Sequence, residues 1–317
     1  MTFYAGKASR VGFLVNTSSS EVKAALSSKT QSPLLDTLKA LQNSFGGAKE
    51  ITILLAYGKE PLEEKEMLAV KQMLPGINLL GRPCPQGEGV LQGFSFLNDR
   101  GAVKLFYVNY DNLAGISSVL PAMSKLVTGK SVATAKWDDG ARLTLPQSMY
   151  VAEKGISRAL TIAIPSLAQD FHFYLGLMGL PSKGWEKIAP ELPRLYVKSY
   201  SNLQHAGIDS GLLLTSAHIG LSIDNSTKMQ IDYPHELPKD RAEVKEYAKS
   251  RVNHFRQEMS VIADYLAATG QDGKLALLTQ FIAETEKTIL KTGFHWSTHR
   301  IKQSENPVSG KSSFIKG

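Results

Sequence analysis

Three groups of residues in this 317-residue chain have types and spacing that suit phosphate or metal chemistry. Gly129-Lys130-Ser131 matches the end of a phosphate-binding loop, in which backbone amides wrap the anion and the lysine reaches it. The first glycine of such a loop falls on Ser124 here, and Pro121 to Val127 does not read as a strand entering a turn, so a basic helix end is the plainer reading. Gly87, Gly89 and Gly93 approach a dinucleotide fingerprint, but the last interval is one residue too long. With no clear strand before them and no helix after, they predict a flexible hairpin. His295 and His299 stand one helical turn apart, yet Trp296-Ser297-Thr298 between them supplies no acid. The zinc-protease pattern needs a glutamate directly after the first histidine. The other histidines are scattered, no Gly-x-Ser-x-Gly elbow occurs, and Asp138-Asp139 before Gly140 reads as a turn. No catalytic residue, metal or other cofactor is therefore expected, and the chain reads as a non-enzyme.

What remains is a mixture of cations and rings. Lys125, Lys130, Lys136, Arg142, Lys154 and Arg158 run through the middle with Trp137 and Tyr150 among them. Lys183, Lys187, Arg194 and Lys198 follow, with Trp185, Tyr196 and Tyr200, and no acid lies between Lys125 and Lys136. Single-stranded nucleic acid binding uses this combination, cations for phosphates and ring faces for bases. The competing reading is a set of solvated lysines over core aromatics.

The elements that would carry these residues are legible in outline. A net charge of +7 favours a polyanionic partner, and 43% hydrophobic residues support a real core. Cys84 is the single cysteine, which excludes an intrachain disulfide and fits a reducing compartment. Met1 to Arg10 lacks a signal-peptide core, and no apolar run reaches the roughly 18 to 20 residues of a spanning helix, so no membrane insertion is expected. Pro33 opens a helix whose stripe is Leu34, Leu35, Leu38, Leu41 and Phe45, and Gly46-Gly47 ends it. Ile51 to Tyr57 is an apolar run that fits a strand or a buried helical turn. Pro61 opens another helix. The glycines and prolines of residues 76–101 predict a loop or hairpin insertion, and Thr128 to Gly140 a polar connector. The second half reads as helical, most clearly Asp240 to Ala268, where Val244, Ala248, Phe255, Met259, Ile262 and Leu266 share a face and Gly270 caps the end. The tail from Lys291 reads as a basic arm.

Several of these segments resemble the nucleoproteins of segmented negative-strand RNA viruses, the phlebovirus and tenuivirus group. Leu34 to Gly47 followed by Lys49 to Lys59 is similar to that family's helix, Gly-Gly stop and apolar helix with a basic turn. Ile156-Ser157-Arg158-Ala159-Leu160, then Leu192-Pro193-Arg194 and Ala206-Gly207-Ile208-Asp209, resemble its central elements in order and spacing. Tyr265 to Gly273 is similar to its last helix and turn. The chain departs in residues 76–140, which look like an insertion, and in Glu60, Glu63 and Glu64, where the family is more basic.

The resemblance implies a mainly α, two-lobed helical nucleoprotein. Residues 1–30 would be an N-terminal oligomerisation arm, 31–145 an N-terminal lobe with a small β-containing insertion at 76–112, 146–290 a C-terminal helical lobe and 291–317 a basic tail. It implies encapsidation of single-stranded viral RNA without sequence preference, rings or filaments built through the arm, a viral RNA polymerase as partner, and location in the virion and host cytoplasm. Arg158 would line the RNA groove, with Lys59 and Lys65 in the same role. Lys154, Arg194, Lys198, Lys125, Lys130, Lys136 and Arg142 complete the expected RNA-binding set. Two other readings stand beside it. Val11 to Val15, Ile51 to Tyr57 and Val103 to Val108, separated by helices, also fit three parallel strands of an α/β nucleotide- or ligand-binding domain, with its ligand in a crevice at the strand ends. A coat protein of a filamentous RNA virus is the other.

Overall fold

In a computed structural model, the described residues are 11–27, 33–44, 51–57, 61–73, 77–79, 84–109, 113–137, 147–167, 176–229 and 241–304. Seven strands form one sheet: β1 (Val11–Thr17), β2 (Ile51–Tyr57), β3 (Ile77–Leu79), β4 (Lys104–Asn109), β5 (Ser131–Trp137), β6 (Leu177–Pro181) and β7 (Ser222–Met229). Their spatial order is β3-β2-β1-β4-β6-β5-β7. β3, β2, β1 and β4 are mutually parallel, β6 runs antiparallel to both β4 and β5, and β7 is parallel to β5. A sheet of this extent overturns the expected mainly helical, two-lobed nucleoprotein: the chain is α/β.

The helices are α1 (Ser19–Ser27), α2 (Pro33–Ser44), α3 (Glu64–Met73), α4 (Gln86–Asp99), α5 (Leu113–Leu126), α6 (Gln147–Ala163), α7 (Ser182–Leu195), α8 (Tyr200–Leu203), α9 (Ile208–His218), α10 (Arg241–Ala268) and α11 (Asp272–Ser304). The period-two alternation of the strands sorts two cores. Phe13, Val15, Phe106, Val108, Ala133, Ala135 and Leu177 face one layer, where Val22 of α1, Leu38 of α2, Val70 of α3 and Leu120 of α5 cover them. Leu14, Leu105, Tyr107, Val132, Met178 and Leu180 face the other, under α4, α6, α7, α9 and α10. Strands buried on both faces read as continuous apolar runs, as β1 and β4 do.

Four local departures from the sequence expectations have physical causes. Residues 86–99 form a helix, not a hairpin, because their glycines let α4 lie against its neighbours: a Cβ at Gly93 would meet Leu14 Cδ1 at 2.6 Å. The Thr128 to Gly140 segment holds β5, whose Val132, Ala133, Thr134 and Ala135 are buried on both faces and show no alternation. β6 lies within an apolar stretch that had read as helix; Gly179 sits opposite Phe106 in the register, under its ring. β7 is a polar edge strand. The long helix α10 ends as expected, with Gly270 at φ 67° and Gln271 N–H donating to the Leu266 carbonyl at 2.8 Å. Among the described residues no helix is long and apolar enough to cross a membrane.

Candidate functional site

The carboxyl ends of β1, β2 and β4 lie on one edge of the sheet. The chain leaves β1 toward β2 on one side, whereas α4 brings it back from β3 to β4 on the other. The β1/β4 boundary is thus a topological switch point, the position at which open α/β sheets in general bind ligands.

One residue separates β1 from α1. Ser18 caps the helix: its Oγ accepts the Glu21 N–H at 3.1 Å and its carbonyl the Val22 N–H at 3.1 Å. Ser18 and Ser20 share a 2.8 Å hydroxyl bond. The cap fixes the positive end of the α1 dipole at the carboxyl end of β1. Beneath it, Thr17 is 5% exposed and its hydroxyl has no hydrogen-bond partner. That leaves a buried polar group unsatisfied beside a helix start.

Two lysines act on Glu63, just before α3. Lys65, at the start of α3, lies 2.7 Å from Glu63. That hydrogen bond and charge lower the Glu63 carboxyl from its usual range, and the charge of Lys23 on α1 adds to the effect. The β1–α1 junction is therefore built from short polar side chains on a strand–helix turn.

A second polar group lies under the helices of the other layer. Asp209, in the first turn of α9, accepts the N–H of Gly176, the residue before β6, and burial pushes its carboxyl up to about 7. Glu258 on α10 is fully buried; burial, then the charge of Asp209, pushes its carboxyl well above the usual range. Ser210 is the nearest donor to Glu258, but neither its hydroxyl nor the Glu258 oxygens has a hydrogen bond of normal geometry. Glu153 of α6 contributes a third buried carboxyl to this group. Among the described residues no set of three or more His, Cys, Asp or Glu side chains could hold a metal ion.

The residues singled out from sequence scatter over the molecule. Lys154 and Arg158 are the pair brought together: one turn apart on α6, both exposed, they line one groove. Lys65 is exposed near the α1 end of the sheet. Arg194 closes α7 in an exposed pair with Glu191, 2.9 Å away, and Lys198 is exposed between α7 and α8. Lys125 ends α5, Lys130 sits in the turn before β5 and Lys136 lies within β5. Lys59, Arg142 and Asp138-Asp139 lie outside the described residues. Gly129-Lys130-Ser131 joins a helix to a strand, the reverse of a phosphate loop. It is closed by a 2.7 Å bond between Thr128 and Ser131 hydroxyls. Two of the aromatic partners are core: Trp185 packs edge-on against Phe94 at 5.3 Å, and the Tyr196 hydroxyl donates to the Gly211 carbonyl at 3.0 Å, whereas Tyr150 and Tyr200 are half-buried.

The α1 junction and the buried acids were not singled out from sequence. Glu258 did carry a signal, since it falls on the apolar stripe between Phe255 and Ile262.

No protein-family model matches this chain, and no curated protein sequence matches it. Solved structures with a similar course include a mannosyltransferase from Pyrobaculum calidifontis in complex with GDP-Man and Mn2+, at 12% identity and TM-score 0.45 over 93% of this chain and 87% of that one. A cytidylyltransferase from Leptospira borgpetersenii aligns at 12% identity and TM-score 0.43, over 84% and 96% of the two chains. A mannose-1-phosphate geranyltransferase from Thermus thermophilus aligns at 14% and 0.40, over 70% and 73%. All three are transferases, and no viral nucleoprotein is among them. The seven-stranded sheet corrects the expectation of a virion nucleocapsid subunit, since the RNA-coating, non-enzyme reading was built on a mainly helical body.

Proposed function

We propose that this chain is an α/β domain that binds a phosphorylated small molecule of the nucleotide class in the crevice at the carboxyl edge of β1 and β4. The observation that carries the reading is the β1–α1 junction. A capped helix start lies at the switch point of a parallel β3-β2-β1-β4 array, directly over the buried, unbonded hydroxyl of Thr17. Backbone amides and the helix dipole favour a phosphate there, and the array leaves room beside it for the rest of the ligand. An activity on that ligand, transfer of a group from a phosphorylated donor, is the reaction class to assay.

The test is calorimetric titration of the purified chain with nucleoside mono- and diphosphates and nucleotide-sugars, run beside Ser20→Asp. Ser20 is exposed in the first turn of α1, where an added carboxylate favours the helix and repels a phosphate. The expected result is saturable binding by at least one nucleotide, lost in the variant without a fall in melting temperature. Absence of binding by every nucleotide, or equal binding by Ser20→Asp, overturns the reading.

A further inference from the structure

On the far side of the helical layer, α6 and α11 lie side by side with a groove of about 590 Å³ between them. From sequence to shape its origin is simple. Val151, Lys154, Gly155, Arg158 and Ile162 form one stripe of α6, and Leu277, Gln280, Phe281, Glu284, Thr285 and Thr288 form one stripe of α11. Each stripe covers three turns, about 16 Å at 1.5 Å per residue. Gly155 sets the approach of the two helices: a Cβ there would meet Phe255 and Thr285 at 2.9 Å.

The walls are chemically divided. Val151, Ile162, Leu277 and Phe281 make an apolar lining, and Leu277 is 59% exposed, a large cost for a leucine facing water. Lys154 and Arg158 stand over that lining. The Arg158 guanidinium lies 5.3 Å from the Phe281 ring centre and the Lys154 ammonium 5.8 Å from that of Tyr150. Neither cation makes an ion pair with a described residue. Glu284 is the one acid lining the groove, so its lining carries a net charge of +1: two cations less one carboxylate.

From this geometry we infer a second binding site, distinct from the sheet edge, for a single-chain anionic amphiphile. Its carboxylate or phosphate head lies between Lys154 and Arg158, and its hydrocarbon tail lies along Val151, Ile162, Leu277 and Phe281. The volume is that of a small-molecule pocket, and the charge complements a monoanion. Arginine on a ring face keeps its fork free for an oxyanion. A nucleotide suits this groove less well, because the single hydroxyl of Thr285 is the one buried polar side chain of its walls and cannot read the donor and acceptor pattern of a base.

The test uses dodecanoate and dodecyl phosphate below their micelle concentrations, with dodecyltrimethylammonium as the cationic control, each displacing the anionic dye anilinonaphthalene sulfonate from the full chain. Both anions are expected to displace the dye, and the cation is not. Lys154→Gln with Arg158→Gln should weaken the anions by about tenfold or more, since charge-assisted contacts are lost. Thr288→Trp, which fills the groove at an exposed position, should abolish displacement while melting temperature and nucleotide binding stay unchanged. Equal affinity for the cationic amphiphile, or undiminished affinity in both variants, overturns the site. If carboxylate and phosphate heads bind alike the site reads charge alone, and a preference for one identifies the head.

Discussion

His254 Nε2 lies 3.8 Å from Glu258 Oε1 one turn along α10, and burial drives both groups toward neutrality from opposite directions. At that distance, with the imidazole held at about 3 by burial and then by Arg251, the contact is neither a hydrogen bond nor an ion pair. The cluster comprises Glu153 on α6, Asp209 and Ser210 on α9, and Arg251, His254 and Glu258 on α10. Burial disfavours the charged forms of Asp209, His254 and Glu258 within it.

That state gives the fold a pH dependence whose sign follows from linkage. Asp209 is raised from 3.8 to about 7, so the folded state holds a proton that the unfolded state has released between those values. Its stabilisation is complete below 3.8 and is lost as pH rises through about 7. Glu258, raised from 4.5, acts in the same sense. His254, lowered from 6.5 to about 3, acts in the opposite sense: its contribution is complete above 6.5 and is lost as pH falls toward 3. Two acids oppose one base, so the melting temperature should fall between pH 5 and pH 7. Glu258→Gln, which keeps the shape and removes the proton, should flatten that fall. Parallel melting curves for both proteins across the range would refute the assignment.

The glycines of α4 should separate packing from conformational freedom. A Cβ at Gly87 would lie 2.7 Å from the Gln204 carbonyl carbon and 2.8 Å from the His205 carbonyl oxygen, all backbone atoms that cannot turn aside. Gly87→Ala should therefore cost about 1–3 kcal/mol or more as an overpacked contact. Gly129→Ala meets nothing within 4 Å and should be neutral within about 0.5 kcal/mol. Urea midpoints of the two variants check this. Equal midpoints would mean that α4 does not sit against the turn after α8.

The same contrast explains what was legible in the sequence. Val11 to Val15 and Val103 to Val108 stood out because strands covered on both faces need unbroken apolar runs; Ile51 to Tyr57 is an apolar run as well, and all three fall on strands of the sheet. α10 stood out because its Phe255, Met259, Ile262 and Leu266 keep helical spacing. The glycines of α4 looked like loop residues, since composition does not show what presses on a backbone. Lys154 and Arg158 were visible as members of a basic run, but two of the rings interleaved with the basic residues, Trp185 and Tyr196, serve the core, and only the fold separates those uses. The α1 junction was invisible: Thr17, Ser18, Ser19 and Ser20 read as a polar arm until the sheet places them at its carboxyl edge.

Thr17→Val tests that junction without touching the cap. The substitution is close to isosteric and removes the hydroxyl that has no partner in the fold. An unsatisfied buried hydroxyl costs about 1–3 kcal/mol, so the variant should be as stable as the parent or more stable. If the hydroxyl is reserved for a phosphate, nucleotide affinity should fall while stability holds. A variant that loses stability instead would show that Thr17 already has a structural partner.

The last prediction concerns how the helical layer is tied together. One carboxylate oxygen of Asp264 on α10 accepts the backbone N–H of Lys198 and of Ser199, each at 2.9 Å, and the Ser199 hydroxyl at 3.0 Å. This clamps the segment that links α7 to α8 against α10. Arg256 makes a two-pronged pair with Glu286 at 2.8 and 2.7 Å and links α10 to α11, but it is exposed. Counting ion pairs would rank the second contact first. Solvent screening and side-chain entropy reduce an exposed pair to about 0–1 kcal/mol, whereas a carboxylate on backbone amides is charge-assisted and leaves those amides unpaired when it goes. Asp264→Ala should therefore lower stability by about 1.5–3 kcal/mol and Arg256→Gln by less than about 1 kcal/mol, measured by urea unfolding. Hydrogen exchange at Lys198 and Ser199 should speed up in the first variant alone, because their donors then face water; unchanged exchange there would break the clamp assignment.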